Sequence, residues 1–167
     1  MGIEMHMSRR LIAIYLKDHL AGATAGVALA RRVAESNANT SSGSALAQVA
    51  AEIEEDRETL KRLMSELGVP GSRLKNAGAW AAERLARLKL NGRGGGGRGS
   101  ELQRMYELEA LGLGIAGKQG LWDALRCSPE AAAHADLDRL ESRARRQREV
   151  VEVERLALAR AALSADA

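Results

Sequence analysis

The chain has 167 residues, which is enough for a single domain over residues 1–167 with a buried core. Alanine, leucine, arginine and glutamate dominate, aromatic residues make up 2% and phenylalanine is absent, so the composition excludes sheet-rich folds and predicts an all-α protein. The net charge of +3, from 25 basic and 22 acidic residues, excludes a strongly cationic nucleic-acid-binding protein, and nucleic acid is not an expected partner.

Stretches rich in glycine, proline or small polar residues divide the chain into helical segments. They lie at 36–44, 67–72, 91–100 and 127–130, where regular structure is disfavoured or a new helix begins. The last of these places Ser128 as an N-cap and Pro129 at the first helical position. The predicted helices cover about 8–35, 45–67, 73–90, 101–126 and 129–163.

Apolar residues in the first two helices alternate three and four positions apart. This spacing forms an apolar seam along one side of each helix, which is typical of antiparallel bundles. The seam of the first helix consists of Ala13, Leu16, Leu20, Ala23, Val27, Ala30 and Ala34. The seam of the second helix consists of Leu46, Val49, Ile53, Asp56, Leu60, Leu63 and Leu67.

The lengths of the connections predict the directions of the helices. Short loops join the first helix to the second and the third to the fourth, so each of these pairs is expected to be an antiparallel hairpin. The long connection between the second and third helices can travel the length of the bundle. The result is a four-helix bundle running up-down-down-up. The short helix at 73–90 is expected either along its outside, with Trp80 and Leu85 as apolar contacts, or at the contact with a second subunit.

The stretch AEIEEDRETL at 51–60 concentrates carboxylates within two helical turns. With about 100° of rotation per residue, Asp56 falls on the seam of the second helix, at a position typical of leucine. Glu52 lies about 60° to one side and still faces the bundle. The other carboxylates lie outside this arc, Glu54 and Glu58 on the solvent side and Glu55 near the boundary.

Two further polar residues are predicted to face the same interior. His19 lies about 60° from the seam of the first helix, the same offset that Glu52 has on the second. On the third helix, Gln103, Glu107 and Lys118 are taken to mark the solvent side, so that Glu109 points inward. Carboxylates and an imidazole converging in a bundle would suit iron, manganese or zinc. The predicted converging set is His19, Glu52, Asp56 and Glu109.

Several segments resemble the ferritin-like superfamily, and the resemblance covers nearly the whole chain. DHLAGATAGVALARR is similar to the first helix of bacterioferritin-type proteins, with His19 where a glutamate ligand usually stands. EIEEDRETLKRLMSELG resembles their second helix, in which Glu52 matches the glutamate of a Glu-x-x-His pair and Glu55 replaces the histidine. YELEALGLGIAGKQGLW would supply a third-helix glutamate as Glu107 or Glu109. The resemblance implies a ferritin-like fold with an incomplete di-metal site.

The fourth helix departs from the family pattern, because it contains no histidine. A register against the family places Arg145 and Arg148 near the two ligand positions, and other offsets reach Arg143 or Glu141. Arginine cannot bind a metal, but it can pair with inward carboxylates. A metal-free ion-pair network is therefore the main expectation. The alternative is a single altered metal site, with His19, Glu52, Glu55, Asp56 and Glu109 as its candidate ligands.

Two helices also contain glycines, each of which costs roughly 1 kcal/mol relative to alanine. They permit close helix packing, which is the expected role, or they leave room for a ligand. These glycines are Gly22, Gly26, Gly112, Gly114, Gly117 and Gly120.

The function expected from these features is a non-catalytic binding or structural module, whose small-molecule ligand is unspecified. One alternative is a carboxylate and histidine metal protein that handles iron or peroxide, and the other is a nucleic-acid-associated stress protein that uses the arginine-rich fourth helix. With Cys127 alone, no apolar run of roughly 18 residues and no signal-like start, a cytoplasmic protein without membrane contact is expected. A homodimer formed through a helix face is also expected.

Overall fold

The computed structural model describes residues 2–70 and 98–164, with side chains described at 9–70 and 100–164. In these parts of the chain all regular secondary structure is helical, which confirms the all-α prediction. The predicted short helix at 73–90, with Trp80 and Leu85, and the glycines of the 91–97 stretch lie outside the described residues. The helices are α1 (Gly2–Ser36), α2 (Gly43–Glu66), α3 (Arg98–Leu125), α4 (Pro129–Ala132) and α5 (Leu137–Leu163).

The segment predicted as one helix at 129–163 is two helices. Ser128 caps the short α4, since its side chain accepts a hydrogen bond from the Ala131 amide and Pro129 follows it, as predicted. The chain then leaves helical geometry, and Asp136 begins α5 by accepting a hydrogen bond from the Arg139 amide at 3.0 Å. A second cap four residues after α4 therefore interrupts the predicted helix.

The loop between α1 and α2 is closed by buried polar contacts. Asn37 is 1% exposed, donates from its side chain to the Val33 carbonyl at 2.7 Å, and accepts from Arg104 of α3 at 3.0 Å. Gly43 follows at the start of α2, where a Cβ atom would lie 2.7 Å from the carbonyl oxygens of Asn37 and Ala38. The loop is therefore tied to α3 and depends on glycine at one position.

The four long helices of the described chain pack in a closed order, in which α1 contacts α2 and α3, and α5 contacts α3 and α2. Contacts between neighbours run in opposite senses along the two helices, so that neighbouring helices are antiparallel. The pairs that show this are Arg104–Asn37 and Arg32–Glu107 for α3 with α1, Glu109–Arg155 and Gln119–Glu141 for α3 with α5, and Ser42–Glu154 and Glu52–Gln147 for α2 with α5.

The predicted apolar seams form much of the core. Leu16, Leu20 and Val27 of α1 are buried, and the α2 seam is buried from Leu46 to Leu63. The third helix contributes Trp122, which is 1% exposed. The core therefore lies along the axis between the four long helices. In the described residues no helix is long and apolar enough to cross a membrane.

Candidate functional site

A buried polar cluster connects α2, α3 and α5 near the middle of the bundle. Lys118 on α3 donates from Nζ to Asp56 Oδ2 and to Gln147 Oε1, each at 2.5 Å. Arg143 on α5 donates to the other oxygen of Asp56. Gln147 donates in turn to Glu52 Oε2 at 3.0 Å. Each of the three helices therefore contributes a side chain that is hydrogen-bonded to a side chain of another helix.

The burial of these groups determines their electrostatics. The Asp56 side chain is 1% exposed and the Lys118 side chain is 14% exposed. Loss of water around its ammonium lowers the pKa of Lys118, and the nearby Asp56 carboxylate opposes that shift. Because a buried charge needs a partner, the ammonium and the carboxylate each make the burial of the other tolerable.

The second cation of the cluster joins a buried carboxylate to an exposed one. Arg143 bridges the buried Asp56 and Glu55, whose side chain is 67% exposed and lies 2.9 Å from the guanidinium. The Arg143 Nε atom is buried and has no acceptor within the part of the chain that the structure describes. Arg143 therefore links the interior carboxylate to the solvent side of the helix pair.

The orientations predicted for three residues of the first two helices are correct. Asp56 faces the interior, and Glu52 is half-buried and accepts from Gln48 at 3.1 Å as well as from Gln147. His19 is half-buried, with its ring in an edge-on contact 4.5 Å from the ring of Tyr15. Burial lowers the pKa of His19, and Asp18 opposes the shift. The seams thus placed these side chains correctly.

The orientation predicted for the third helix is wrong in three places. Glu107, expected on the solvent side, is 3% exposed and accepts from Arg32 of α1 and from Gln103. Glu109, expected inside, has a side chain that is 41% exposed and lies 3.4 Å from Arg155. Lys118, also expected on the solvent side, is inside. Because α3 contacts both α1 and α5, a wider arc of its surface is covered than its polarity pattern indicates.

In α5, which forms most of the predicted fourth helix, the residue that pairs with the buried Asp56 carboxylate is Arg143. Arg145, one of the positions favoured by the family register, has a side chain that is 64% exposed and pairs with Glu141 on its own helix at 2.8 Å. Arg148, the other, is exposed. Gln147 was missed, although it lies in the row of buried α5 residues between Ala144 and Val151.

The four carboxylates among the predicted metal ligands are paired with other side chains. Both oxygens of Asp56 accept from cations, Glu52 accepts from amides, and Glu109 accepts from a guanidinium. Within the described ranges, no three histidine, cysteine, aspartate or glutamate side chains are grouped so that they could hold a metal ion. Positive neighbours oppose a bound cation, so this donor set favours ion pairing. The metal site remains a prediction.

A cavity of about 330 Å³ lies beside the cluster, between α1, α2 and α3. Asp56 and Lys118 form part of its wall, and Leu29, Ile53 and Ile115 belong to its apolar lining. Polar side chains of α1 lie at its edge, where His19 is half-buried and Asp18 is exposed. The arrangement is an apolar pocket with a charged pair at one side, which is typical of small-molecule sites.

Glycines line the cavity where α1 faces α3. These are Gly22 and Gly26 of α1, and Gly114 and Gly117 of α3. A Cβ atom added at any of the four would meet no atom within 4 Å, so the expectation of close packing is wrong for them. Three of them, Gly22, Gly114 and Gly117, are exposed, so the cavity opens to solvent between the two helices.

Trp122 provides a polar atom that sequence reasoning did not identify. Its side chain lines the cavity and is 1% exposed. The indole Nε1 is buried, and no acceptor for it exists among the residues that the structure describes. A tryptophan in a helix is usually assigned to the core by its size, and only the three-dimensional arrangement shows that its N–H group is unpaired.

Comparison with known proteins identifies no relative, since no family model matches the chain, and neither a curated protein nor a solved structure is significantly similar to it.

Proposed function

We propose that this protein is a non-catalytic binding module of ferritin-like topology that takes a small, largely apolar molecule into the cavity between α1, α2 and α3. The observation that carries the proposal is the cavity itself, about 330 Å³ with four helical glycines in its wall. That volume lies within the range of about 300–1,000 Å³ found for ligand pockets.

The cost of the glycines supports a role for the open space. A glycine inside a helix costs roughly 1 kcal/mol relative to alanine. At Gly22, Gly26, Gly114 and Gly117 an added Cβ would contact nothing within 4 Å, so packing gives no reason for glycine there. The glycines do leave the cavity and its mouth free of side chains. Room for a ligand accounts for all four positions.

The helix directions support the finer fold assignment. Both α2 and α3 are antiparallel to α1, and α5 is antiparallel to both of them, as an up-down-down-up bundle requires. The interior charges support a binding role over catalysis, because both oxygens of Asp56 are held by Lys118 and Arg143. These ion pairs fix the helices around the cavity.

The proposal is tested by filling the cavity from its glycine wall. Gly26→Leu and Gly114→Leu place an aliphatic side chain at the cavity, and both are expected to weaken the binding of ethylnaphthalene at least tenfold, as measured by ligand-observed NMR. Gly120→Leu is the matched control, because Gly120 lies on the same helix as Gly114, likewise has no atom within 4 Å of an added Cβ and does not line the cavity. Equal binding by all three variants and the unaltered protein contradicts the proposal.

The remaining expectations about partners stay predictions. A homodimer would use exposed apolar residues on the outer faces of the helices, such as Leu113, which is 76% exposed, and Val153, which is 69% exposed. Sedimentation equilibrium of the unaltered protein and of Leu113→Glu tests it. A nucleic-acid interface on α5 would have to use arginines outside ion pairs, because Arg143, Arg145 and Arg155 are paired with carboxylates. The cytoplasmic location also stays a prediction.

A further inference from the structure

We infer that the molecule held in the cavity carries an oxygen acceptor, a carbonyl or carboxylate group, which binds between the Trp122 indole N–H and the Lys118 ammonium. This inference rests on the proposed function and specifies the class of ligand. It follows from donors that the protein itself leaves unsatisfied at the cavity.

The first donor is the Trp122 indole. Its nitrogen can only donate, so water or another acceptor must satisfy it. The Trp122 side chain is 1% exposed, and Nε1 has no acceptor in the described part of the chain. Buried donors without a partner are rare in folded proteins, and one that lines a cavity is a position where a ligand oxygen gains a hydrogen bond at no cost to the protein.

The second donor is the Lys118 ammonium, which has three N–H bonds. Two acceptors from the described residues occupy it, Asp56 Oδ2 and Gln147 Oε1. Lys118 also lines the cavity, and it lies four residues before Trp122, one turn along the same face of α3. Both donor-bearing side chains therefore line the same cavity.

The charge of the wall favours an acceptor over a cationic ligand. Asp56 cannot readily receive a ligand amine, because both of its oxygens already accept from Lys118 and Arg143. Arg57 also lines the cavity, but its guanidinium pairs with Glu58 at 2.8 Å and with Glu54 at 3.5 Å, so it adds no net positive charge there. Asp18 is the other acid at the cavity, and it is exposed, so water screens it.

Four probes that share one ring system separate these possibilities. Ethylnaphthalene has no polar group, acetylnaphthalene adds a carbonyl, naphthoate adds a carboxylate, and naphthylmethylamine adds a cation. Dissociation constants are measured for the unaltered protein, for Trp122→Phe and for Lys118→Met. In parallel, the indole ¹H–¹⁵N signal of Trp122 is followed in the unaltered protein, with Trp80→Phe used to assign it, because the sequence has two tryptophans.

The ketone or the carboxylate is expected to bind about tenfold more tightly than the hydrocarbon, the size of one hydrogen bond. The tighter of the two identifies the source of the oxygen. The indole proton should move downfield with that probe and much less with ethylnaphthalene. Trp122→Phe should remove most of the preference while leaving ethylnaphthalene binding nearly unchanged, and Lys118→Met should weaken naphthoate most.

Two results overturn the inference alone. One is equal binding of the hydrocarbon and both oxygen-bearing probes with no downfield shift of the Trp122 signal. The other is tighter binding of the amine than of either oxygen-bearing probe. If ethylnaphthalene fails to bind, or if Gly26→Leu leaves its binding unchanged, the proposed function fails and the inference falls with it. The hydrocarbon thus reports on the cavity, and the differences between probes report on the two donors.

Discussion

Lys118 on α3 lies 2.5 Å from Asp56 on α2, measured from Nζ to Oδ2, and the same ammonium donates to Gln147 on α5. One side chain thereby connects three of the four long helices of the described chain. The pair forms part of the cavity wall, so the interaction that holds the helices together also shapes the space between them. The stability of the bundle and the geometry of the cavity should therefore respond to the same substitution.

Lys118→Met is expected to lower the free energy of unfolding by about 1–3 kcal/mol, because it leaves the buried Asp56 with one cation fewer. Urea denaturation followed by circular dichroism measures the change. Lys61→Met is the control, since Lys61 pairs with Glu58 at the surface, where an ion pair contributes little. Combining Lys118→Met with Asp56→Asn should cost less than the sum of the two single changes. Equal losses for Lys118→Met and Lys61→Met contradict a stabilising role for the buried pair.

The lowered pKa of Lys118 predicts a pH dependence of stability. Because the folded-state pKa lies below the unfolded value of 10.5, the folded protein releases this proton at lower pH than the unfolded chain does. The contribution of Lys118 to the free energy of unfolding is therefore fully present above pH 10.5, and it is lost as the pH falls through the folded-state pKa. The unfolding free energy of the unaltered protein should rise relative to that of Lys118→Met as the pH increases toward 10.5. A constant difference over that interval contradicts the expected shift.

The fold was more predictable from the sequence than the polar interior. Apolar periodicity reports burial directly, and Asp56 was identified because it interrupts a row of leucines. Polarity is a poorer guide, because a charged residue is assigned to solvent unless its partner is known. Glu107 is buried because Arg32 from another helix pairs with it, and most of the Lys118 side chain is covered because Asp56 of α2 accepts from its ammonium. Gln147 could have been found from its place in the row of buried α5 residues.

The cavity was beyond the reach of sequence reasoning for a different reason. Gly22 and Gly114 indicate either a close approach of two helices or a space between them. The spacing of the glycines along the sequence is the same in both cases. The distance between α1 and α3 decides between the two, and that distance depends on the larger side chains around the glycines. The structure shows space at both positions.

The metal alternative makes a different prediction from the ion-pair network. If the network describes the interior correctly, purified protein incubated with ferrous iron, manganese or zinc should gain no stoichiometric metal, because the carboxylates are held by cations and amides. Elemental analysis after gel filtration measures the gain. Stoichiometric uptake that is lost in His19→Ala and in Glu52→Gln would instead establish the predicted metal site.

His19 should report occupation of the cavity. Burial already lowers the pKa of His19 from the ordinary histidine value of 6.5, and a ligand that displaces water from the cavity beside it should lower the pKa further. An NMR titration of the imidazole protons with and without acetylnaphthalene measures the change. His134 is the internal control, because it is exposed and does not line this cavity. Parallel shifts of both histidines, or no shift of His19 at saturation, contradict binding at this site.

Glycine-to-alanine substitutions should change stability in opposite directions at different positions. Gly22→Ala and Gly117→Ala should each raise the unfolding free energy by roughly 0.5–1 kcal/mol, since the added methyl group meets no atom and alanine favours the helix. Gly43→Ala should lower it, because the Cβ atom would lie 2.7 Å from two backbone carbonyl oxygens. Urea denaturation of the three variants measures both effects.

The same variants separate stability from binding, with Gly120→Ala as the control. Gly120 has equal space for a methyl group but does not line the cavity, so its substitution should raise stability and leave the affinity for acetylnaphthalene unchanged. Gly22→Ala and Gly117→Ala should raise stability and weaken that affinity, because each methyl group reduces the room at the mouth. Such a pattern would mean that the helices give up stability at these positions in exchange for space. Unchanged affinity in all three variants would mean that the glycines serve no ligand.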